Sequence, residues 1–371
     1  MKLLFVFGTR PEAIKLAPVI LQFARRARDV QCRTCVTAQH REMLDQVLTV
    51  FDLVPDHDLG IMEADQTPTG VAALVLSRLE PILRRERPDW VLVQGDTTTA
   101  AAAAMAAFYA GVRVAHIEAG LRTRDRSQPF PEEMNRRMIG TIADLHFAPT
   151  ERARQNLLAE CVDDAHILVT GNTVIDALRW IAAQRPLEPR APSRVKQVLL
   201  TAHRRENLGR PLENICLAVR RIARRRPNSV QIVYPVHRNP HVMEPVHRLL
   251  GGVPGVTLTA PLDYAALVGT LEGAHLVLTD SGGLQEEAPA FGVPVLVLRD
   301  VTERPEGLEA GTARLVGTDP DRIATEVFRM LDDPAAHRAM ARAVNPFGDG
   351  RASERIVGAL LGDRVERFVA R

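Results

Sequence analysis

Residues 275–300 read HLVLTDSGGLQEEAPAFGVPVLVLRD, and this stretch decides the fold class of the chain. Two apolar runs, at 275–280 and 293–300, flank a glycine-containing turn and a short helical segment. Unbroken apolar runs of this length are typical of strands that are buried on both faces of a parallel sheet. The stretch therefore predicts two buried parallel strands joined by a turn and a short helix.

The same alternation of apolar runs and helical patterns extends through the whole chain. Runs such as LLFVFG, WVLVQGD and QVLLTAH alternate with helical patterns such as LENICLAVRRIARRR, which predicts an α/β fold with doubly wound parallel sheets. The segment RPLEPRAPSR, residues 185–194, has three prolines and no apolar periodicity, so it is typical of a linker. We therefore expect two Rossmann-like domains, residues 1–184 and 185–351, whose strand ends face each other across a cleft.

Composition and charge exclude several classes of function. The chain has 371 residues, of which 46% are hydrophobic and 25% charged, and this is ordinary for a soluble protein of two domains. Its formal net charge of +2 predicts no nucleic-acid partner. The N-terminal apolar run is too short for a secretory signal, and no run is long enough to cross a membrane. No membrane partner is therefore expected.

The four cysteines, at positions 32, 35, 161 and 216, do not predict a metal or redox site. Cys32 and Cys35 form a CxxC, but the surrounding VQCRTCVTA has strand composition, which would point the two thiols to opposite faces. No second CxxC and no histidine pair at ligand spacing accompany them. We expect no metal and a reducing, cytoplasmic location.

The turn inside the opening stretch predicts a phosphate contact. Ser281, Gly282 and Gly283 would begin the short helix with exposed backbone N–H groups, which bind phosphate in many proteins. Glu286 and Glu287 follow one turn later, where they should repel an anion. The stretch therefore predicts a ligand that carries both a phosphate and a group that binds a carboxylate.

A basic pair follows the first strand, in GTRPEAIKLAP. Gly8 permits a tight turn, Pro11 suits the first turn of a helix, and Arg10 and Lys15 place cations near the helix start. Surface charge and a phosphate contact are both compatible with this pattern.

Three carboxylates follow consecutive elements of the first half. Asp96 ends the strand in VQGDTTTA, where either it or Thr97 would cap the next helix. Glu118 ends the strand in VAHIEAGLRT and has no obvious helix to cap. Glu132 and Glu133 lie in the first turn of a helix, where a carboxylate also complements the helix dipole. The set Asp96, Glu118 and Glu132 is typical of acid and base chemistry on opposite faces of a substrate.

The second half adds basic groups at comparable positions. His203 and Arg204 follow a strand in TAHRRENLG, His237 follows another in YPVHRNP, and Arg304 lies in RDVTERPEG. Arg304 is a candidate anion contact. A histidine at a strand end is more often structural, but the run of ionisable groups around His203 favours a functional position.

Together these motifs resemble one family, the non-hydrolysing UDP-N-acetylglucosamine 2-epimerases. The motifs match in order over almost the whole chain: GTRPEAIKLAP, QGDTTT, HIEAGLRT, PFPEE-NRR, GNTVIDAL, TAHRREN, YPVHRNP, TDSGGLQEEAP and LRDVTERPEG-EAGT. The resemblance implies the GT-B architecture, with a C-terminal helix at about 352–371 that packs back on the first domain. It also implies a homodimer and a role in the biosynthesis of a cell-surface polysaccharide.

The implied reaction is the reversible C2 epimerisation of UDP-N-acetylglucosamine to UDP-N-acetylmannosamine without a cofactor. UDP would leave C1 as the C2 proton is removed, which gives 2-acetamidoglucal, and would add back with a proton on the opposite face. The implied catalytic residues are Asp96, Glu118, Glu132 and His203, and which carboxylate acts on which face stays open. The implied contacts to the UDP-sugar are Arg10, Lys15, His203, Ser281, Gly282, Gly283, Glu287 and Arg304. In this interpretation Glu287 binds the ribose hydroxyls, which reconciles the carboxylate with the phosphate.

Bacterial members that resemble this chain are also regulated by a second molecule of UDP-N-acetylglucosamine. The matching positions are Gln39, Glu132, Arg204 and His237. The chain departs from the family pattern at Glu42, where the family has Gln, and at Asp65, where it has Arg. Each change places an acidic group against a diphosphate, and we therefore expect weakened or altered activation by the substrate.

Three other functions fit part of the pattern. A hydrolysing epimerase would release N-acetylmannosamine and UDP. A retaining GT-B glycosyltransferase would share the nucleotide site but would not require the three carboxylates. A nucleotide-sugar sensor would bind the UDP-sugar without exchanging its C2 hydrogen.

Overall fold

The computed structural model describes residues 1–26, 30–37, 41–61, 66–184 and 195–370. These divide into two compact units, one of Met1–Trp180 with Gly348–Val369 and one of Ile181–Phe347. The predicted linker, residues 185–194, lies outside the described residues.

The first unit is built on a parallel sheet of seven described strands, in the order β3-β2-β1-β4-β5-β6-β7. The strands are β1 (Lys2–Phe7), β2 (Gln31–Val36), β3 (His57–Asp58), β4 (Trp90–Gln94), β5 (Arg113–Ile117), β6 (Leu145–Ala148) and β7 (Ile167–Val169). The strand order reverses between β1 and β4, which places the topological switch point at their carboxyl ends.

The second unit has a parallel sheet of six described strands, in the order β10-β9-β8-β11-β12-β13. The strands are β8 (Lys196–Thr201), β9 (Val230–Pro235), β10 (Val256–Thr259), β11 (Leu276–Thr279), β12 (Val295–Val297) and β13 (Ala313–Leu315). Its switch point lies between β8 and β11.

Helices cover both sheets. Those of the first unit are α1 (Arg10–Arg26), α2 (Arg41–Val50), α3 (Pro68–Glu86), α4 (Thr98–Tyr109), α5 (Glu132–Ile142), α6 (Glu151–Ala159), α7 (Thr173–Gln184), whose last turn crosses the division, and α15 (Ala352–Leu360). Those of the second are α8 (Arg210–Arg225), α9 (Pro240–Leu250), α10 (Tyr264–Glu272), α11 (Gly282–Glu287), α12 (Pro305–Glu309), α13 (Pro320–Asp332) and α14 (Pro334–Ala341).

The doubly wound α/β prediction is confirmed. In the stretch that opened the sequence analysis, β11 and β12 pair in parallel and α11 lies between them in sequence. The short strands β3 and β13 were not predicted, because His57–Asp58 is polar and Ala313–Leu315 is interrupted by Arg314, so neither forms an apolar run.

The C-terminal helix is shorter than the predicted 352–371. It ends at Leu360 because Gly362, at φ +80°, turns the chain: its N–H bonds to the carbonyl of Ala359, and the N–H of Asp363 bonds to that of Gly358. This pair of hydrogen bonds is a Schellman motif. The helix packs against α1.

Two further sequence expectations concern membranes and thiols. In the described ranges, no helix combines the length and the hydrophobicity that crossing a membrane requires. Cys32 and Cys35 both lie in β2 as free thiols, and burial raises their pKa values to about 11 and about 12. Neither thiol is therefore activated as a nucleophile.

Candidate active site

Glu118 lies where four elements of the first unit converge. It directly follows β5, and its side chain is only 8% exposed. Lys15 of α1 forms an ion pair with its Oε2, which also accepts hydrogen bonds from Gln94 Nε2 at 2.9 Å and from Asn172 Nδ2 at 3.3 Å. Two sequence-predicted site residues, Lys15 and Glu118, are therefore brought into direct contact.

The backbone of Glu118 adopts the left-handed conformation, at φ +65°. For a residue with a Cβ this conformation costs of order 1–3 kcal/mol and is concentrated at functional sites. Glycine would adopt this conformation without strain, so the presence of Glu118 here is consistent with a functional role of its carboxylate.

Asp96 is held by a guanidinium group. Its Oδ2 accepts hydrogen bonds from Arg136 Nε at 2.8 Å and Nη2 at 2.7 Å, and its carbonyl accepts one from Asn135 Nδ2 at 2.9 Å. Thr97, and not Asp96, caps α4, because its Oγ1 accepts from the N–H of Ala100 at 3.0 Å. The alternative left open by the sequence is thus decided, and the Asp96 side chain, 27% exposed, is not used as a cap.

The two glutamates at the start of α5 differ in environment. Glu133 is buried and accepts hydrogen bonds from the N–H groups of Thr123 at 3.0 Å and Arg124 at 3.1 Å. Burial opposes its ionisation, but these hydrogen bonds outweigh burial and hold the pKa of Glu133 below its usual value. Glu132 has a buried Oε2 that meets no hydrogen-bond partner among the described residues. Glu133 therefore organises the loop, whereas Glu132 Oε2 is not used in a hydrogen bond within the described residues.

Glu12 is a buried carboxylate that sequence reasoning missed. Its Oε2 accepts hydrogen bonds from the N–H groups of Gly8 at 3.0 Å and Thr9 at 2.7 Å, and its Oε1 accepts one from Thr97 Oγ1 at 2.6 Å. Burial raises the pKa of Glu12 despite these hydrogen bonds. The available signal was Thr9-x-x-Glu12, which has the spacing of a helix capping box.

In the second unit, two arginines lie over the turn that begins α11. A Cβ added to Gly282 would be 3.7 Å from Arg204 Nη2 and 3.9 Å from Arg304 Cζ. A Cβ on Gly283 would be 3.4 Å from Glu287 Oε1 and 3.8 Å from Ser281 Oγ. The turn, both guanidinium groups and the Glu287 carboxylate are therefore neighbours.

The neighbouring Glu286 does not face this turn as a repelling charge. It is buried, and its Oε1 forms an ion pair with Arg304 Nε. Arg304, one of the two arginines beside the turn, thus neutralises the first of the two glutamates, and the Glu287 carboxylate lies beside Gly283.

His203 is positioned by a second buried carboxylate that the sequence analysis did not identify. Asp280 follows β11, is fully buried and accepts hydrogen bonds at its Oδ2 from the N–H groups of His203 and Arg204, each at 2.8 Å. The His203 ring stacks on that of His237 at 5.3 Å between centroids. Burial lowers the pKa of His203 although Asp280 opposes this shift, so the ring is neutral at neutral pH. The signal for Asp280 was a polar residue at the end of a fully apolar run.

Several predicted residues are not brought into these clusters. Arg10 is the first residue of α1. Gln39 and Asp65 lie outside the described residues, as does the side chain of Glu42. The effector site built from them stays a prediction.

Comparisons with known proteins identify the family of this chain. The sequence model of the family described as UDP-N-acetylglucosamine 2-epimerase matches residues 23–361. The chain is 52% identical to the UDP-N-acetylglucosamine 2-epimerase of Salmonella typhimurium, with 98% of this chain and 100% of the relative covered. The structure of the Neisseria meningitidis UDP-GlcNAc 2-epimerase bound to UDP-GlcNAc is 45% identical, with a TM-score of 0.90 and 98% and 100% of the two chains covered. The Staphylococcus aureus MnaA structure with UDP is 43% identical, with a TM-score of 0.87 and 100% and 99% covered.

Proposed function

Because the chain belongs to the UDP-N-acetylglucosamine 2-epimerase family, we propose that it interconverts UDP-N-acetylglucosamine and UDP-N-acetylmannosamine without hydrolysis. The observation that carries the proposal is the set of three carboxylates in the first unit, of which Asp96 follows β4, Glu118 follows β5 and Glu132 begins α5. Asp96, Glu118 and Glu132 each have a different set of partners, and Asp96 and Glu118 are both beside a cation. A site that only bound nucleotide would not need three such groups.

The reaction follows from the chemistry of the sugar. A carboxylate takes the C2 proton, the C2–H electron pair forms the C1=C2 double bond, and the C1–O bond breaks so that UDP leaves with its electron pair. Re-addition of UDP to C1 and of a proton to the other face of C2 gives the epimer. Two proton-transfer groups are needed, and the three carboxylates supply them.

The second unit is proposed to hold UDP. Arg204 and Arg304 lie beside Gly282, where guanidinium groups and the backbone N–H groups of the turn complement a diphosphate. Glu287, beside Gly283, would accept hydrogen bonds from the ribose hydroxyls. The neutral ring of His203 can donate one hydrogen bond to the departing phosphate oxygen.

The test is an incubation of the purified protein with UDP-N-acetylglucosamine in deuterated water, without added cofactor, followed by proton NMR of the sugar C2 position. UDP-N-acetylmannosamine with deuterium at C2 is the expected product. Asp96→Asn, Glu118→Gln and Glu132→Gln should each slow the exchange while UDP binding is retained. Free N-acetylmannosamine with UDP would indicate a hydrolysing enzyme instead. Tight UDP binding with no exchange would leave a glycosyltransferase or a sensor.

We also propose that the chain forms a homodimer through the exposed face of α3 and α4. Phe108 and Tyr109, at the end of α4, are 62% and 73% exposed and lie beside a groove that includes Leu76. On the same face Glu80 and Arg84 form an ion pair one turn apart on α3. A two-fold related copy would present the same two charges, so that acid faces base across the axis while Tyr109 packs against the groove of the partner. Light scattering should give a dimer for the wild type and a monomer for Tyr109→Glu. A monomeric wild type would refute this proposal.

A further inference from the structure

We propose that Glu12 is a positioning residue for Asp96 and that its carboxylate fills the anion position at the start of α1. The inference rests on the proposed function, because Asp96 matters only if the protein transfers protons at C2. Glu12 itself is 1% exposed and is not expected to touch the substrate.

The contacts of Glu12 join two turns that are far apart in sequence. Its Oε2 binds the N–H groups of Gly8 and Thr9, which follow β1, and its Oε1 binds the hydroxyl of Thr97, which follows β4. The same hydroxyl caps α4 by accepting from Ala100 N–H at 3.0 Å. The hydrogen bond from Thr97 Oγ1 to Glu12 Oε1 is thus a link between the two turns, the Glu12 link. Since Asp96 directly precedes Thr97, this link determines where the backbone of Asp96 lies at the switch point of the sheet.

The other contacts of Asp96 come from a different direction. Arg136 and Asn135 of α5 hold its carboxylate and its carbonyl. The Glu12 link therefore adds the connection to β1 that α5 does not provide. A carboxylate that transfers a proton must be placed to within a fraction of an ångström, and a misplacement of about 1 Å can reduce the rate roughly 100-fold.

Glu12 also has a consequence for nucleotide binding. In open α/β sheets, the N–H groups of the first strand–helix turn are the usual phosphate site. Here the N–H groups of Gly8 and Thr9 are occupied by an internal carboxylate. The turn is also packed tightly, since a Cβ on Gly8 would be 2.0 Å from Thr37 Oγ1. A substrate phosphate is thus excluded from these N–H groups, and the diphosphate is left to other groups.

The experiment compares removal and conservative replacement of the link. Glu12→Ala and Thr97→Val should each lower kcat about 30-fold or more, with KM and the affinity for UDP changed less than about threefold. Glu12→Gln should recover most of the rate, because its amide oxygen can accept from Gly8 and Thr9 while its amide nitrogen donates to Thr97 Oγ1. In the double variant Glu12→Ala/Thr97→Val, kcat should equal that of the worse single variant, since both remove one link.

A matched control separates the link from the loss of a helix cap. Thr67 caps α3 as Thr97 caps α4, with its Oγ1 accepting from Gly70 N–H at 3.1 Å. Thr67→Val should therefore lower Tm without lowering kcat. The proposal would be overturned if the kcat losses of the two single variants multiply in the double variant. It would also be overturned if Glu12→Gln does not restore kcat.

A readout that does not depend on activity completes the test. Amide hydrogen exchange in Glu12→Ala should accelerate in peptides that cover residues 8–12 and 95–100 and stay unchanged in the second unit. Unchanged protection at 95–100 would show that Glu12 does not hold the Asp96 turn. An inactive wild type with this exchange pattern would reject the proposed function and leave the link itself intact.

Discussion

The carboxylate of Asp280 holds the main chain of His203, whose N–H donates to Asp280 Oδ2 at 2.8 Å across 77 residues of sequence. The same oxygen accepts from the N–H of Arg204 and from Asn207 Nδ2 at 3.0 Å. One fully buried carboxylate at the end of β11 therefore shapes the loop after the adjacent strand β8, which carries both His203 and Arg204.

Replacement of Asp280 should disorder this loop. Asp280→Ala leaves three donors without their acceptor, and we expect a loss of about 3 kcal/mol in the free energy of unfolding and at least a tenfold weaker affinity for UDP. Urea unfolding and calorimetric titration with UDP measure the two effects. Asp319→Ala in the same unit removes an exposed helix cap and should cost only about 1 kcal/mol, with UDP affinity unchanged. Equal effects of the two variants would contradict the assignment.

Gly282→Ala should weaken UDP binding without weakening the fold. Its Cβ would meet only ordinary contacts, at 3.7 Å and beyond, but would occupy the space between the turn and the two guanidinium groups. We expect UDP affinity to fall at least tenfold while stability stays the same or rises by about 0.5 kcal/mol, because alanine is the better helix former. Gly70→Ala in the first turn of α3 should give the same gain in stability with no effect on UDP. Unaltered UDP affinity in Gly282→Ala would place the diphosphate elsewhere.

The left-handed conformation of Glu118 predicts a conflict between stability and activity. Cys161 is exposed and has the same φ of +65°, so Cys161→Gly should stabilise the protein by about 1 kcal/mol through release of strain. Glu118→Gly releases the same strain but removes the acceptor of Lys15, Gln94 and Asn172. We expect it to be less stable than Cys161→Gly by about 2 kcal/mol and to lose C2 exchange. Equal stabilisation by the two changes would mean that the contacts of Glu118 contribute nothing to the fold.

Buried histidines predict loss of stability in acid. Burial lowers the pKa of His116 from its usual 6.5 to about 3, and its Nε2 donates to the carbonyl of Gly95 at 2.7 Å. Between these two pH values the unfolded chain binds a proton that the folded protein does not, so stability falls as pH decreases from 6.5 towards 3. The slope is about 1.4 kcal/mol per pH unit for this group.

The check is urea unfolding at several pH values between 7.5 and 5. His116→Gln keeps a donor for Gly95 and should lose less stability on acidification than the wild type does. His241→Gln, on the exposed face of α9, is the control and should follow the wild-type curve. Parallel curves for all three proteins would show that His116 does not carry the acid sensitivity.

Much of the fold and of the site was predictable from the sequence. The strands were readable because burial on both faces demands unbroken apolar runs, as in LLFVF and HLVLT. The end of the last helix was readable in principle from Gly362, since a left-handed residue after a helix is most often glycine. The positions of Asp96, Glu118 and Ser281 followed from the rule that ligands bind beyond the carboxyl ends of parallel strands.

The sequence by itself therefore determined the class of fold, the family and the edge of each sheet on which the chemistry lies. Only the tertiary structure decided which polar side chains are partners. Glu132 and Glu133 are adjacent, but successive residues on a helix point about 100° apart. Glu133 therefore forms an ion pair with Arg136, whereas the buried Glu132 Oε2 has no hydrogen-bond partner among the described residues. The contacts of Glu12 with Thr97 and of Asp280 with His203 join residues 85 and 77 positions apart. Local sequence carries no signal for such pairs, because they form only where the strand order of an open sheet places β1 beside β4 and β8 beside β11.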